Sequence, residues 1–114
     1  MLTIYGIPNC DTCRKARKWL DANSLEYHFH DLRADGLDKA SLHKWAAVVD
    51  WKKLLNTRST TWRGLAEADK QNLDRARAID LMLAHPTLVK RPLAESGESI
   101  LVGFNEADYA NFKA

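Results

Sequence analysis

Long apolar runs are missing from this sequence, and nothing in it approaches the roughly 18 residues that a membrane-spanning helix requires. The start, "MLTIYGIPNC", has neither a basic lead nor an extended apolar segment, so no export signal is expected. Charge of one sign is equally scarce. Seventeen Lys and Arg against fifteen Asp and Glu leave a formal net charge of +2, and the signs are mixed along most of the chain. That describes a solvated surface and argues against direct nucleic-acid binding. Repeats, low-complexity tracts and obvious linkers are lacking as well. Cysteine is nearly absent, with two residues in 114. Two thiols cannot form a disulfide scaffold. A bond between neighbours three apart would close a loop too small to remove much chain entropy. Reduced thiols in a cytoplasmic protein, with no membrane partner, are the matching expectation.

What is present points to a packed globule: 46% of residues are apolar, four of them tryptophan. At 114 residues the chain suits a single domain spanning 1–114. "LTIYG" (Leu2 to Gly6) alternates and is rich in β-formers, so it reads as a strand. Pro8-Asn9 breaks it, and a helical pattern starts near Asp11 with Cys13, Ala16, Trp19 and Leu20 on one face. "EYHFHD" (Glu26 to Asp31) alternates again. Such a β-α-β unit pairs its strands in parallel.

The middle of the chain is helical. Leu42, Trp45, Ala46 and Val49 form one stripe, capped by Asp38, and Ala76, Ile79, Met82 and Leu83 form another that Pro86 ends. Between them "NTRSTTWRG" reads as a loop followed by one short helix. "LAE" and "SILV" flank Ser96-Gly97-Glu98 as a hairpin, and "FNEADYANFK" closes as a helix capped by Asn105. Phe104 and Tyr109 are placed to staple its start. The order β-α-β, helices, β-β-α, with the cysteines at the first strand-to-helix junction, is the thioredoxin layout. The fold class is therefore α/β, with a helical insertion at about 36–86.

Cys10 and Cys13 admit three chemistries. A thiol reacts as thiolate, and Cys10, at the start of a helix, faces unpaired N–H groups and the positive end of the helix dipole. Arg14, Lys15 and Arg17 add positive charge while Asp11 opposes it, so a lowered Cys10 pKa is expected. Cys13, one turn on, shares the apolar face and should be more buried. Cys10 then attacks, while Cys13 resolves or merely packs. A zinc site would need four ligands; His28 and His30 alternate on one strand face, but no second C-x-x-C exists. Two ordinary buried cysteines are the third reading.

The segments "IYGIPNCDTCRKA", "LLNTRSTTWRGL", "LVKRPL" and "ILVGFNEADY" resemble, nearly end to end, the ArsC family. That family groups glutaredoxin-coupled arsenate reductases with the redox-responsive regulator Spx, and the likeness is greatest to its YffB-like branch of glutathione-dependent thiol reductases. The resemblance implies a thioredoxin-like fold, Cys10 as nucleophile, and Arg91 followed by a cis-proline, Pro92, beside it. Arsenate reductases carry a histidine where this chain has Gly6, and an arginine where it has Asn56. A further arginine falls where it reads Gly103-Phe104. Oxyanion binding wants several converging donors, best from Arg, so weak or no arsenate reduction is expected. Glutathione asks for less, and Arg14, Arg58 and Lys90 are candidate contacts for its carboxylates. No bound cofactor is implied. Glutathione would be a co-substrate, a disulfide or mixed disulfide the substrate, and glutaredoxin a candidate partner. The alternative is an Spx-like switch that binds RNA polymerase.

Overall fold

The computed structural model describes residues 2–113. Along the chain run β1 (Leu2–Gly6), α1 (Asp11–Ala22), β2 (His28–Asp31), α2 (Lys39–Val48), α3 (Trp51–Leu54) and α4 (Thr60–Arg63). There follow α5 (Glu67–Lys70), α6 (Arg75–Ala84), β3 (Leu93–Ser96), β4 (Ser99–Val102) and α7 (Glu106–Tyr109). They form two compact units: one of residues up to Asp35 and from Arg91 onward, the other Gly36–Lys90. None of these helices is long and apolar enough to cross a membrane.

The first unit is a four-stranded sheet in the order β2-β1-β3-β4. β1 and β2 run parallel from Thr3↔His28 to Gly6↔Asp31, while β3 is antiparallel to both β1 and β4. This is the mixed α/β arrangement of thioredoxin-like proteins. Leu2, Ile4 and Gly6 alternate inward on β1. Leu2 and Ile4 meet Ala16 and Leu20 of α1, Ala94 of β3 and Tyr109 of α7, and together these form the core. α1 is strongly amphipathic because Cys13, Ala16 and Leu20 fall on one side, and all three are buried. Trp19, expected beside them, is half-buried at the margin, where its ring meets Tyr109 edge-on at 6.0 Å.

Several boundaries shift, each for a local reason. β2 begins at His28 rather than Glu26, because Ser24 turns the chain with φ 56° and the first residue paired to β1 is His28. The hairpin loop is Gly97-Glu98; Ser96 belongs to β3 and pairs with Ser99, and Gly97 supplies the left-handed φ of 59° that the two-residue turn needs. The last helix is shorter than the pattern suggests, with residues 110–113 tightening into a 3-10 turn. Asn105 caps it as expected, accepting from the amides of Ala107 and Asp108. Phe104 stacks edge-on against Tyr109 at 4.9 Å, the expected staple.

In the second unit α2 packs on α6 and α3, and α3 on α6. Asp38 caps α2 through the Ser41 amide, but the helix ends at Val48, so Val49 lies outside the stripe. On α6 the buried residues are Ala78, Ile79 and Met82. Ala76 faces solvent, because the Asp74 cap sets the helix phase and the small alanine carries little directional signal. The stretch expected to be a loop and one helix holds α4 and is flanked by two more short helices. Ser59 caps α4 by accepting from the Trp62 amide, and Asn56 braces the preceding loop by accepting from the Arg58 amide at 3.0 Å.

Candidate active site

Cys10 is the N-cap residue of α1, with extended backbone (φ −97°, ψ 124°). Its amide donates to the Ile7 carbonyl at 3.3 Å, and its own carbonyl accepts the first helical bond, from Arg14, at 3.0 Å. This places its half-buried sulfur at the positive end of a 12-residue helix. In the neutral thiol no capping hydrogen bond closes. Burial opposes ionisation, but it is outweighed by groups that favour the thiolate. These are the Cys13 amide, the Cys13 thiol, and the Arg91 guanidinium, which hydrogen-bonds the sulfur and attracts its charge. The result is a Cys10 pKa below the ordinary 9.0.

Cys13 stands in the opposite situation. It is fully buried, and burial first, then its donated bond to Cys10 and the proximity of that sulfur, push its thiol up to about 12. The pair is thus polarised, with one sulfur ready to ionise and its neighbour held protonated as a donor. Nucleophile chemistry needs this asymmetry, since two equal thiolates so close together would repel.

The positive charge that serves Cys10 comes from Arg91, just before β3, rather than from the basic residues of α1. Arg14 is mostly exposed and is occupied by Asp11 at 2.9 Å and by the Pro8 carbonyl at 3.3 Å. Arg17 lies over the Phe29 ring at 4.1 Å and reaches the Tyr27 hydroxyl at 3.4 Å. Pro92 is buried, and the Arg91-Pro92 peptide bond is cis, as expected. The Pro92 carbonyl accepts the Gly103 amide at 2.8 Å, which ties the start of β3 to the end of β4.

The first unit therefore brings together Cys10, Cys13, Arg91 and Pro92, with Arg14 on the exposed face of α1. Arg58 and Lys90 are exposed residues of the second unit. Lys90 is pinned there by its amide, which donates to the Leu54 carbonyl at 2.8 Å. Among the described residues no three His, Cys, Asp or Glu side chains converge as metal ligands. Two residues stand beside the site in ways their sequence positions did not indicate. Gly6 faces Cys13 across the inner side of β1. Tyr109 is fully buried, and its hydroxyl has no partner among the described residues. The inward alternation of β1 was the available signal for Gly6; nothing in the sequence marks Tyr109 beyond its role as a staple.

Known proteins are similar to this chain in sequence and fold. A protein of Haemophilus influenzae is 46% identical over 109 residues, covering 96% of each chain. The global transcriptional regulator Spx of Streptococcus mutans is 28% identical over 114 residues, covering 98% of this chain and 82% of its own. Among solved structures, the YffB (PA3664) protein superposes with a TM-score of 0.96 at 47% identity, covering all of both chains. A glutaredoxin of Archaeoglobus fulgidus, 11% identical with a TM-score of 0.52 and coverage of 98% and 84%, shares the fold alone. The ArsC family profile matches residues 5–112. With that match over nearly the whole chain, and a polarised cysteine at the first strand-to-helix junction, this protein belongs to the ArsC family.

Proposed function

We propose that the protein is a small thiol–disulfide oxidoreductase that uses glutathione as co-substrate and Cys10 as nucleophile. The observation that supports this most is the polarised pair: a Cys10 thiol favoured as thiolate by Arg91 and the α1 N-terminus, beside a protonated Cys13. The Cys10 thiolate attacks the glutathionyl sulfur of a mixed disulfide. A Cys10–glutathione disulfide forms, and the substrate leaves as its thiolate, which takes a proton from solvent. A second glutathione, as thiolate, attacks the glutathionyl sulfur, releasing oxidised glutathione and restoring the Cys10 thiolate. The net exchange turns one mixed disulfide and one glutathione into one thiol and one oxidised glutathione.

Arg14, on the unit that carries Cys10, is a proposed carboxylate contact for glutathione, and Arg58 and Lys90, expected from the sequence as further contacts, belong to the second unit. All three are exposed and cationic. Glutaredoxin is a candidate onward partner, and a reducing, cytoplasmic compartment suits the chemistry. Arsenate turnover should be weak. Gly6, Asn56, Gly103 and Phe104 carry no cation, and each missing oxyanion donor typically costs about a hundredfold or more in rate. The test is turnover of a glutathionylated peptide by glutathione, followed through oxidised glutathione and compared with Cys10→Ser. Turnover that survives Cys10→Ser contradicts the proposal.

The likeness to Spx across 98% of the chain supports a second reading, a regulator whose Cys10–Cys13 oxidation switches contact with RNA polymerase. Capture of polymerase subunits by the oxidised but not the reduced protein, without peptide turnover, would favour that reading.

A further inference from the structure

Gly6 ends β1 on its inward side, in line with the buried Leu2 and Ile4. No left-handed backbone requires a glycine here, since its φ is not among the positive ones. Space does. A Cβ at position 6 would stand 2.5 Å from Cys13 Sγ, 3.4 Å from Cys13 Cβ and 3.5 Å from a ring carbon of Phe29. The first separation is well inside van der Waals contact. The strand cannot simply retreat, because Gly6 is paired with Asp31 and its carbonyl accepts the Leu32 amide at 2.8 Å. Cys13 has little freedom either, being fully buried on α1, where only a few χ1 rotamers avoid the preceding turn.

We infer that Gly6 is a positioning residue for the thiol pair: the space left by its missing side chain seats Cys13 Sγ and keeps that thiol turned to Cys10 as a hydrogen-bond donor. The inference rests on Cys10 being the reacting thiolate, and it specifies how the fold keeps the second sulfur in register with the first. A side chain at position 6 and a donating thiol at position 13 exclude one another. Any residue larger than glycine drives Cys13 Sγ to another rotamer, and Cys10 loses one of the groups that favour its thiolate.

The test is a double-variant cycle of wild type, Gly6→Ala, Cys13→Ala and Gly6→Ala/Cys13→Ala. Two readouts serve, the Cys10 titration midpoint from alkylation rate against pH and the thermal midpoint. Gly6→Ala is expected to raise the Cys10 midpoint by about half a unit to one unit, the worth of one hydrogen bond. Cys13→Ala raises it equally, and the double variant no further than Cys13→Ala alone. The thermal midpoint lost in Gly6→Ala recovers in the double variant, where the sulfur is gone. Should Gly6→Ala not fold, the double variant is expected to fold; a double variant that stays unfolded overturns the inference. So does a wild-type midpoint in Gly6→Ala, or a Gly6→Ala shift of equal size with and without the thiol at 13. Absence of a wild-type glutathione adduct would count against the proposed function and would leave these titrations readable.

Discussion

Arg91→Ala removes the cation that serves Cys10, and its effect can be worked out in advance. Arg91 acts on the thiolate in two ways, by a hydrogen bond and by its charge. A hydrogen bond to a charged partner contributes about 1.5–3 kcal/mol, and about 1.36 kcal/mol corresponds to one pKa unit. Cys10 is only half-buried, so solvent screening keeps the effect near the lower end, about one unit upward. The rate at a single pH understates this. Below both midpoints the thiolate fraction falls about tenfold per unit, but the more basic thiolate is intrinsically more nucleophilic, with a Brønsted slope of about 0.4–0.5. Alkylation at low pH should therefore slow by only about three- to fourfold, while the high-pH plateau rises. The full rate profile against pH is the assay, with Arg91→Lys as control. Lysine keeps the charge but loses the planar guanidinium, so an intermediate midpoint is expected. A midpoint in Arg91→Ala within about 0.2 unit of wild type, judged against the one-unit expectation, would refute the assignment of Arg91 to the thiolate.

Tyr109→Phe deletes a buried hydroxyl that has no partner among the described residues. Stability in urea should be unchanged or higher by up to about 1 kcal/mol, and a loss greater than that would mean the hydroxyl is bonded in solution. Asn105→Ala removes the acceptor for two amides of α7, and should cost about 1 kcal/mol in the same assay, as N-caps generally do; no loss would show that α7 is held by packing alone. Stability should also fall as pH rises through the window from 9.0 toward about 12, because Cys13 keeps its proton when folded and loses it near 9.0 when unfolded. The unfolded state then binds fewer protons than the native one, so unfolding becomes easier with pH. Urea melts from pH 8 upward, on the pH scale this window defines, should show a shallower decline in Cys13→Ala than in wild type.

The strands and the junction helix were legible because their signals are local and physical. Leu2 to Gly6 alternates with period two, and Cys13, Ala16 and Leu20 recur with helical period. Each pattern reads directly as the face that became buried. Asp38 and Asn105 were readable as caps because a short acceptor ahead of a helical run has few other uses. Ala76 misled because alanine fits either face of a helix, so the phase of α6 rested on a residue without preference. One short helix after Ser59 was expected and is α4, but its four-residue neighbours α3 and α5 were hidden, since such turns are too brief to build a periodic signal. At the site, the Cys10–Cys13 asymmetry followed from position alone. Which cation serves it did not follow from position: spacing offered the α1 residues, and only the family resemblance pointed to Arg91. Arg14 and Arg17 are close in sequence but held by Asp11, Tyr27 and Phe29, whereas Arg91 reaches Cys10 only through the pairing of β3 with β1. The seat of Cys13 against Gly6 is likewise a contact across the fold, and a glycine reveals such a contact only by what it lacks.

We propose Cys10 as the ionised nucleophile and Cys13 as its protonated neighbour. Intact mass after brief exposure to oxidised glutathione at neutral pH tests this directly, using wild type, Cys10→Ser and Cys13→Ser. A single glutathionyl adduct is predicted on Cys13→Ser and none on Cys10→Ser, with wild type passing through the adduct to reduced or internally bonded protein. An adduct that forms on Cys10→Ser as readily as on Cys13→Ser would contradict the assignment.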